Sequence, residues 1–289
     1  MIHLVKRNQL DEKKYNDCIF KSLQSRVYAY SWYLDVVTDN WEVLVLDDYV
    51  AVMPLPVRKK FMISYISQPF FTQQLGVFSL ESLSEEIYHL FIKKIPRKFL
   101  KIALQFNYQN TFFSDKLTPK SNYILSLNND YKMLSKGFSK GRKHAITKGL
   151  KEQFTIVDIS FEELLKLSKK HYSFKEFSET TYDKLIKLIK VLESKNKVKI
   201  VGIKIDNVLV GGSVFVLDAK RMIYLFSAVS QIGKEKQVMS LLLNDVIETH
   251  SNTDRILDFE GSQLPGVAKF FRSFGAIKET YFLYKKGLL

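Results

Sequence analysis

The chain has a single cysteine, Cys18, among its 289 residues. One thiol excludes an internal disulfide and a thiolate metal cluster, and it fits a reducing compartment. Histidine is nearly as scarce, at positions 3, 89, 144, 171 and 250. None of these has metal-ligand spacing to another histidine or to Cys18, so no metal cofactor is expected. His171, followed by Tyr172, ends a helical pattern and leads into a polar and aromatic loop. No apolar run reaches the roughly 18–20 residues needed to span a bilayer. Met1–Arg7 has the pattern of a short strand followed by charges and lacks the apolar h-region of a signal peptide. A cytoplasmic location is the expectation. The chain also has no Gly-x-Ser-x-Gly elbow. Cys18 sits beside Ile19 and Phe20 on an apolar helix face, so a serine or cysteine nucleophile has no support.

Acidic residues are in deficit, 30 against 44 lysines and arginines, for a formal net charge of +14. Such an excess favours anionic partners: nucleic acid, a phosphorylated cofactor or an acidic membrane face. Much of it is lysine on polar helix faces, where it is a mobile point charge rather than a rigid bidentate clamp. What the chain does have is apolar material: 46% of its residues are hydrophobic. That is enough for a sizeable core and argues against disorder.

Periodicity organises this material into an ordered series that occurs twice. In the first half, strands are expected at 41–46, 49–55 and 61–67. A helix follows at 83–94, then strands at 99–106 and 123–127. A preceding helix, 11–25, carries Tyr15, Ile19, Phe20 and Leu23 on one side. In the second half, strands are expected at 199–205, 208–217 and 222–228. A helix follows at 236–250, then strands at 256–259 and 277–284. Each three-strand meander opens with an aspartate-containing turn, Asp47-Asp48 and Asp206-Asn207. The second half adds a short helix at 266–274, with Gly275 placed as a left-handed cap. The first half has an aromatic and polar loop, 107–119, in its stead. A helix or helical pair at 130–148, weakened by Gly137 and Gly141, links the two halves. The expected division is 1–148 and 149–289.

Three segments carry a family likeness. They are Ile256-Leu257-Asp258-Phe259-Glu260-Gly261 with Phe270-Phe271-Arg272-Ser273-Phe274-Gly275, the basic stretch Phe138–Ala145, and Trp32 in its Tyr-Ser-Trp-Tyr setting. With the duplicated order, the chain resembles the GNAT-type acyltransferase fold present twice, as in Fem-type aminoacyltransferases. The resemblance implies an α/β fold of two tandem GNAT-like domains, each a mixed central sheet flanked by helices. It implies transfer of an acyl or aminoacyl group onto an amine, with acyl-CoA or aminoacyl-tRNA as donor and a small molecule or cell-envelope precursor as acceptor. The usual pyrophosphate loop of the family is Gln/Arg-x-x-Gly-x-Gly/Ala. Here Ser230-Gln231-Ile232-Gly233-Lys234-Glu235-Lys236 stands in that place, with shorter spacing and one glycine.

Acyl transfer to an amine needs placement, a proton acceptor and donors for the developing oxyanion. Glu260, where the strand 256–259 ends, is a candidate proton acceptor or amine binder; a solvated carboxylate or an ion pair with Arg272 is the plainer reading. Asp258 is a candidate to fix the Ser262–Gly266 turn. Arg142 is the second catalytic candidate, since arginine makes paired contacts with carboxylate or phosphate. Ser230, Gln231, Gly233, Lys234 and Lys236 are candidates for holding phosphate oxygens of a cofactor. Lys140, His144 and Arg272 are candidate substrate contacts. Two other functions stand beside transfer: a basic nucleic-acid or tRNA-docking protein, and a duplicated GNAT-like scaffold without catalysis.

Overall fold

The computed structural model describes residues 1–171, 177–261 and 263–287. Tyr172 and Ser262, both named above, lie outside the described residues. The first elements are β1 Ile2–Lys6, α1 Glu12–Lys21, α2 Ser31–Val37, β2 Asn40–Leu46, β3 Ala51–Lys60, β4 Ile63–Ser67, β5 Phe78–Ser79, α3 Glu85–Lys94, β6 Ile102–Phe106 and β7 Leu117–Ser126. They are followed by α4 Tyr131–Lys136, α5 Lys140–Gly149, β8 Thr155–Asp158, α6 Phe161–His171, α7 Glu179–Ser194, β9 Val198–Ile205, β10 Val208–Leu217 and β11 Arg221–Val229. The chain then runs through α8 Gln231–Glu235, α9 Val238–Thr249, β12 Ile256–Asp258, α10 Pro265–Arg272 and β13 Ile277–Lys286. Among the described residues no helix is long and apolar enough to cross a membrane.

Two compact units result: Met1–Lys120 with Thr280–Leu289, and Ser121–Glu279. The expected division at 148/149 follows the repeat in the sequence; the compact units change at 120/121. The reason is an exchange of last strands. In the first unit the antiparallel meander β2-β3-β4 lies next to parallel β6, and the far partner of β6 is the C-terminal part of β13. In the second unit the meander β9-β10-β11 lies next to parallel β12, and the far partner of β12 is β7. The strand ending the first series thus completes the second unit, and the strand ending the second series completes the first. A mixed sheet of the same order is present in each.

Burial explains the elements. In the first unit, Tyr15 and Ile19 of α1 lie in the core with Trp41, Val43, Phe91 and Phe106. Phe20 and Leu23, expected on that face, are 62% and 56% exposed: α1 buries Tyr15, Cys18 and Ile19, and Ser22 already ends the helix. In the second unit one core joins Leu125, Phe138, Ile146, Phe215, Leu242, Phe259, Phe271 and Phe274. Strand β3 also departs from expectation. It continues through Arg58-Lys59-Lys60, so Phe61 and Met62 form a two-residue turn in place of a strand start.

Candidate functional site

The second unit holds a cavity of about 380 Å³ lined by β11, the Gly233–Gln237 segment, the first turn of α9, and α10. Its apolar wall comes from Tyr224, Val229, Val267, Phe270 and Phe271, and its polar end from Lys234, Gln237 and Ser240.

Arg142 stands behind that polar end. Asp130 and Ser139 accept the first free N–H groups of α4 and α5, from Met133 at 2.7 Å and Arg142 at 3.2 Å. Those two caps make the expected segment a helical pair that divides at Gly137, and they set the direction of α5. The corner then lies against the end of α10: the Ser139 N–H donates to the Ser273 carbonyl at 2.9 Å. Gly275 makes that approach possible. Its φ is +79°, and a Cβ there would lie 3.2 Å from the Gly137 carbonyl oxygen, so the position suits only glycine.

The consequence is a buried guanidinium, 8% exposed. Arg142 Nε donates to Ser273 Oγ at 2.9 Å, and Nη1 donates to Ser240 Oγ. Its Cζ lies 4.3 Å and 4.5 Å from the ring centroids of Phe270 and Phe274. Among the described residues no carboxylate pairs with it. Burial pulls the guanidinium down to about 10. A cation held by hydroxyls and ring faces, without a countercharge, directs positive potential at whatever lies beyond Ser240 and Phe270.

The phosphate-loop candidates behave differently from one another. Ser230 caps α8, its Oγ accepting the Gly233 N–H at 3.0 Å, so that N–H is spent inside the protein. A Cβ on Gly233 would lie 2.3 Å from the Val210 carbonyl oxygen, which makes this glycine a packing requirement of the turn. Gln231 donates to Glu235 at 2.9 Å, and Lys236 pairs with Glu152 at 2.7 Å. Only Gly233 and Lys234 of the five line the cavity. The polar residues that sequence reasoning missed are one turn later. Gln237 is left-handed, φ +59°, and starts the 12-residue helix α9. The Ser240 N–H is spent on the Gln237 carbonyl at 2.8 Å, so what this helix start offers an anion is the positive end of its dipole beside the Ser240 side chain. A polar serine and glutamine beside an apolar helical stripe were the available signal.

Glu260 does not line this cavity. It sits in a left-handed conformation, φ +50°, and its N–H donates to Asp258 Oδ1 at 3.2 Å. Burial pushes its carboxyl up to about 8. Asp258 therefore fixes the turn two residues past itself, where β12 ends. It belongs to a buried cluster: Arg221 Nη1 donates to Asp258 at 2.6 Å, Arg221 Nη2 donates to Glu279 at 2.6 Å, and Asn122 donates to Asp258 at 2.8 Å. Burial opposes the charge on Arg221, and the two carboxylates outweigh it, holding the guanidinium above its ordinary range. Arg272 is exposed and lies over Tyr123 at 6.0 Å; it makes no ion pair with Glu260. Lys140 and His144 are exposed on α5, away from the buried side that carries Arg142.

No protein-family model and no curated protein sequence matches the chain. Solved structures do. FemX matches with a TM-score of 0.66 at 11% identity, over 94% of this chain and 96% of that one. A tandem GNAT protein from the clavulanic acid biosynthesis pathway matches with a TM-score of 0.54 at 12% identity, over the full length of both chains. L-PGS from Bacillus licheniformis matches with a TM-score of 0.54 at 12% identity, over 99% of this chain and 94% of that one. The chain thus shares its fold, a mixed sheet flanked by helices, with these FemX-like and GNAT-type structures.

Proposed function

We propose that the protein transfers an acyl or aminoacyl group from a phosphate-bearing donor to an amine, with the donor seated in the second unit's cavity. The observation that carries this reading is Arg142: a buried cation with no carboxylate, aimed through Ser240 and Phe270 at the start of α9. A phosphate placed there meets the positive end of the α9 dipole. Lys234 adds charge, and the wall of Tyr224, Val267, Phe270 and Phe271 receives an apolar arm. These residues fit the phosphate of an acyl-CoA or of the terminal nucleotide of an aminoacyl-tRNA; the group, when bound, supplies the activated acyl carbon. The five candidates at 230–236 reduce to two that line the site.

The chain's own part in the chemistry is positioning and proton removal. Glu260, held by Asp258 outside the donor cavity, is proposed to accept the amine proton from the acceptor's side. It accepts only when ionised, so activity rises as pH passes through about 8. The acceptor is proposed to be an amine of a small molecule or of a cell-envelope precursor. We also read the two units as tandem copies of one ancestral domain with exchanged last strands.

Thermal stability with coenzyme A, an acyl-CoA and an aminoacyl-tRNA tests the donor site. One of these donors should raise the Tm of the wild-type protein, and Arg142→Met should lose that rise. A donor series that leaves wild-type Tm unchanged, or an equal rise in the variant, would sink this reading.

A second reading rests on a different surface. From Tyr131 to Lys151 the chain has no acidic residue, and Lys132, Lys136, Lys140, Lys143, His144 and Lys148 are exposed. This α4–α5 face is proposed as a nucleic-acid docking surface. RNA affinity should fall steeply with salt, and Lys140→Gln with Lys143→Gln should reduce the slope by about two.

A further inference from the structure

We propose that the β3–β4 hairpin of the first unit is a docking element for an anionic phospholipid membrane, with Phe61 and Met62 entering the lipid.

The argument begins with the turn. Lys60 pairs with Ile63, leaving Phe61 and Met62 as a two-residue loop. Their φ angles are +47° and +63°, both left-handed, which is the type I′ arrangement. Asn-Gly or Asp-Gly is favoured there because L side chains with a full Cβ are strained at positive φ. The same turn occurs at 206–207 with residues suited to it, Asp206 and Asn207, at +48° and +62°. Phe61 and Met62 carry the strain and receive no burial in return, at 87% and 98% exposure. Ile63 is 52% exposed beside them. Two large apolar side chains that oppose both the backbone and the solvent indicate selection by something outside the fold.

The surroundings specify what that is. Arg58, Lys59 and Lys60 precede the tip directly, and Lys60 Nζ lies 5.5 Å from the Phe61 ring centroid. From Tyr49 to Leu80 the chain has no acidic residue. Strand β6 runs parallel to β4 with Ile66 opposite Ile102, so Leu100, 67% exposed, lies at the same end of the sheet. Lys98 and Lys101 flank it, and Lys286 of β13 pairs with Ile102. Beside the hairpin is a polar basin of about 780 Å³, with Lys6, Arg7, Lys59 and Lys98 on its walls. Its acids are occupied: Asp35 by Arg7 at 2.7 Å, and Glu42 by Lys98 at 2.6 Å. Asp39, just before β2, adds a further negative charge. Arg7 is also paired with Glu12 at 2.7 Å, so the basin's positive charge comes down to Lys6 and Lys59, next to the hairpin.

Shape separates a bilayer from a protein partner. The tip is a convex wedge of three side chains, each offering at most roughly 150–250 Å². A stable protein interface needs about 800 Å² per partner. A bilayer accepts a wedge, and the combination of an apolar insertion with a basic collar is the pair of signals that holds a peripheral protein to an anionic leaflet.

Co-sedimentation of the full chain with phosphatidylcholine vesicles, with and without phosphatidylserine, tests this. The protein should bind the phosphatidylserine vesicles, bind phosphatidylcholine alone weakly, and release as salt rises. The double variant Phe61→Asn with Met62→Gly should bind at least about tenfold less. It installs the residues the turn prefers, so its Tm should not fall, and lost binding cannot be ascribed to misfolding. Lys59→Gln and Lys60→Gln should each reduce binding by roughly fivefold. Absence of wild-type binding to phosphatidylserine vesicles overturns the proposal, as does undiminished binding by the Asn-Gly variant. Self-association of the wild type that the Asn-Gly variant abolishes, without vesicle binding, would make the tip a protein contact and overturn it too.

Discussion

The two units follow the same strand order, yet each closes the crossover from the third meander strand to its parallel neighbour differently. In the second unit Ser230 caps a short helix, and a cavity of about 380 Å³ is left beside α9. In the first unit the corresponding stretch, Gln68–Gly76, is tied down by amides. Asn107 Nδ2 donates to the Leu75 carbonyl at 3.0 Å, Asn110 Oδ1 accepts the Val77 N–H at 2.7 Å, and Gln74 Oε1 accepts the Tyr108 N–H at 3.1 Å. The meander turns differ as well: the second unit turns on Asp206-Asn207, the first on Phe61-Met62. A shared backbone has thus been used in two ways. One unit keeps open space and an uncompensated cation; the other fills the space with amides and places apolar side chains in solvent.

The comparison breaks most visibly at Arg221. Arg221→Met leaves Asp258 and Glu279 buried without their cation. It should destabilise the protein by about 3–5 kcal/mol, read from urea denaturation. Adding Asp258→Asn and Glu279→Gln should restore much of the loss. In the first unit the matching test is neutral: Asn110→Leu orphans the Val77 N–H and should cost about 1–3 kcal/mol. If the two costs came out equal, the buried ion cluster around Arg221 would matter no more to its unit than the amide ties do to theirs.

Exchanging the turns sharpens the contrast further. Asp206→Phe with Asn207→Met should lower stability by about 1–2 kcal/mol, the strain of two ill-suited left-handed residues. Phe61→Asn with Met62→Gly should raise it by up to about 1 kcal/mol. A loss in the second experiment would show that Phe61 and Met62 serve the fold. Glu260 bears on pH. Its folded carboxyl titrates near 8, above an unfolded carboxylate, so between about pH 4.5 and 8 the folded chain holds more protons than the unfolded one. Stability therefore declines as pH rises across that window. The Tm of Glu260→Gln should decline less over the same range, and parallel Tm curves would show that Glu260 titrates no differently in the folded chain.

Much of the fold was legible because it rests on local period. The apolar strands at 199–228 are buried over most of their length, and the stripe on α9 buries Val238, Leu241, Leu242 and Val246. Gly275 has the left-handed φ expected from its place after Phe274. Arg142 was legible as a residue type in a basic segment, although its neighbours Lys140 and His144 proved to be solvated. What pattern could not show was pairing across distance. Arg221 looks like the polar edge of an apolar strand, and its partners lie 37 and 58 residues away. The exchange of β7 and β13 was hidden for the same reason: either strand satisfies the alternation required at either place. The hairpin tip was missed because Phe61 and Met62 have strand-like side chains, and only the backbone shows that they turn.

The exchange of last strands also governs the order in which the protein can be made. When the first 120 residues have left the ribosome, β6 still lacks the partner that Thr280–Lys286 will provide. Until the C-terminal segment emerges, the nascent chain carries an open strand edge of the kind that templates intermolecular pairing. Removing residues from 280 onward would leave that edge permanently open, so that a short C-terminal deletion becomes a defect of the N-terminal unit, with aggregation during synthesis as its expected outcome.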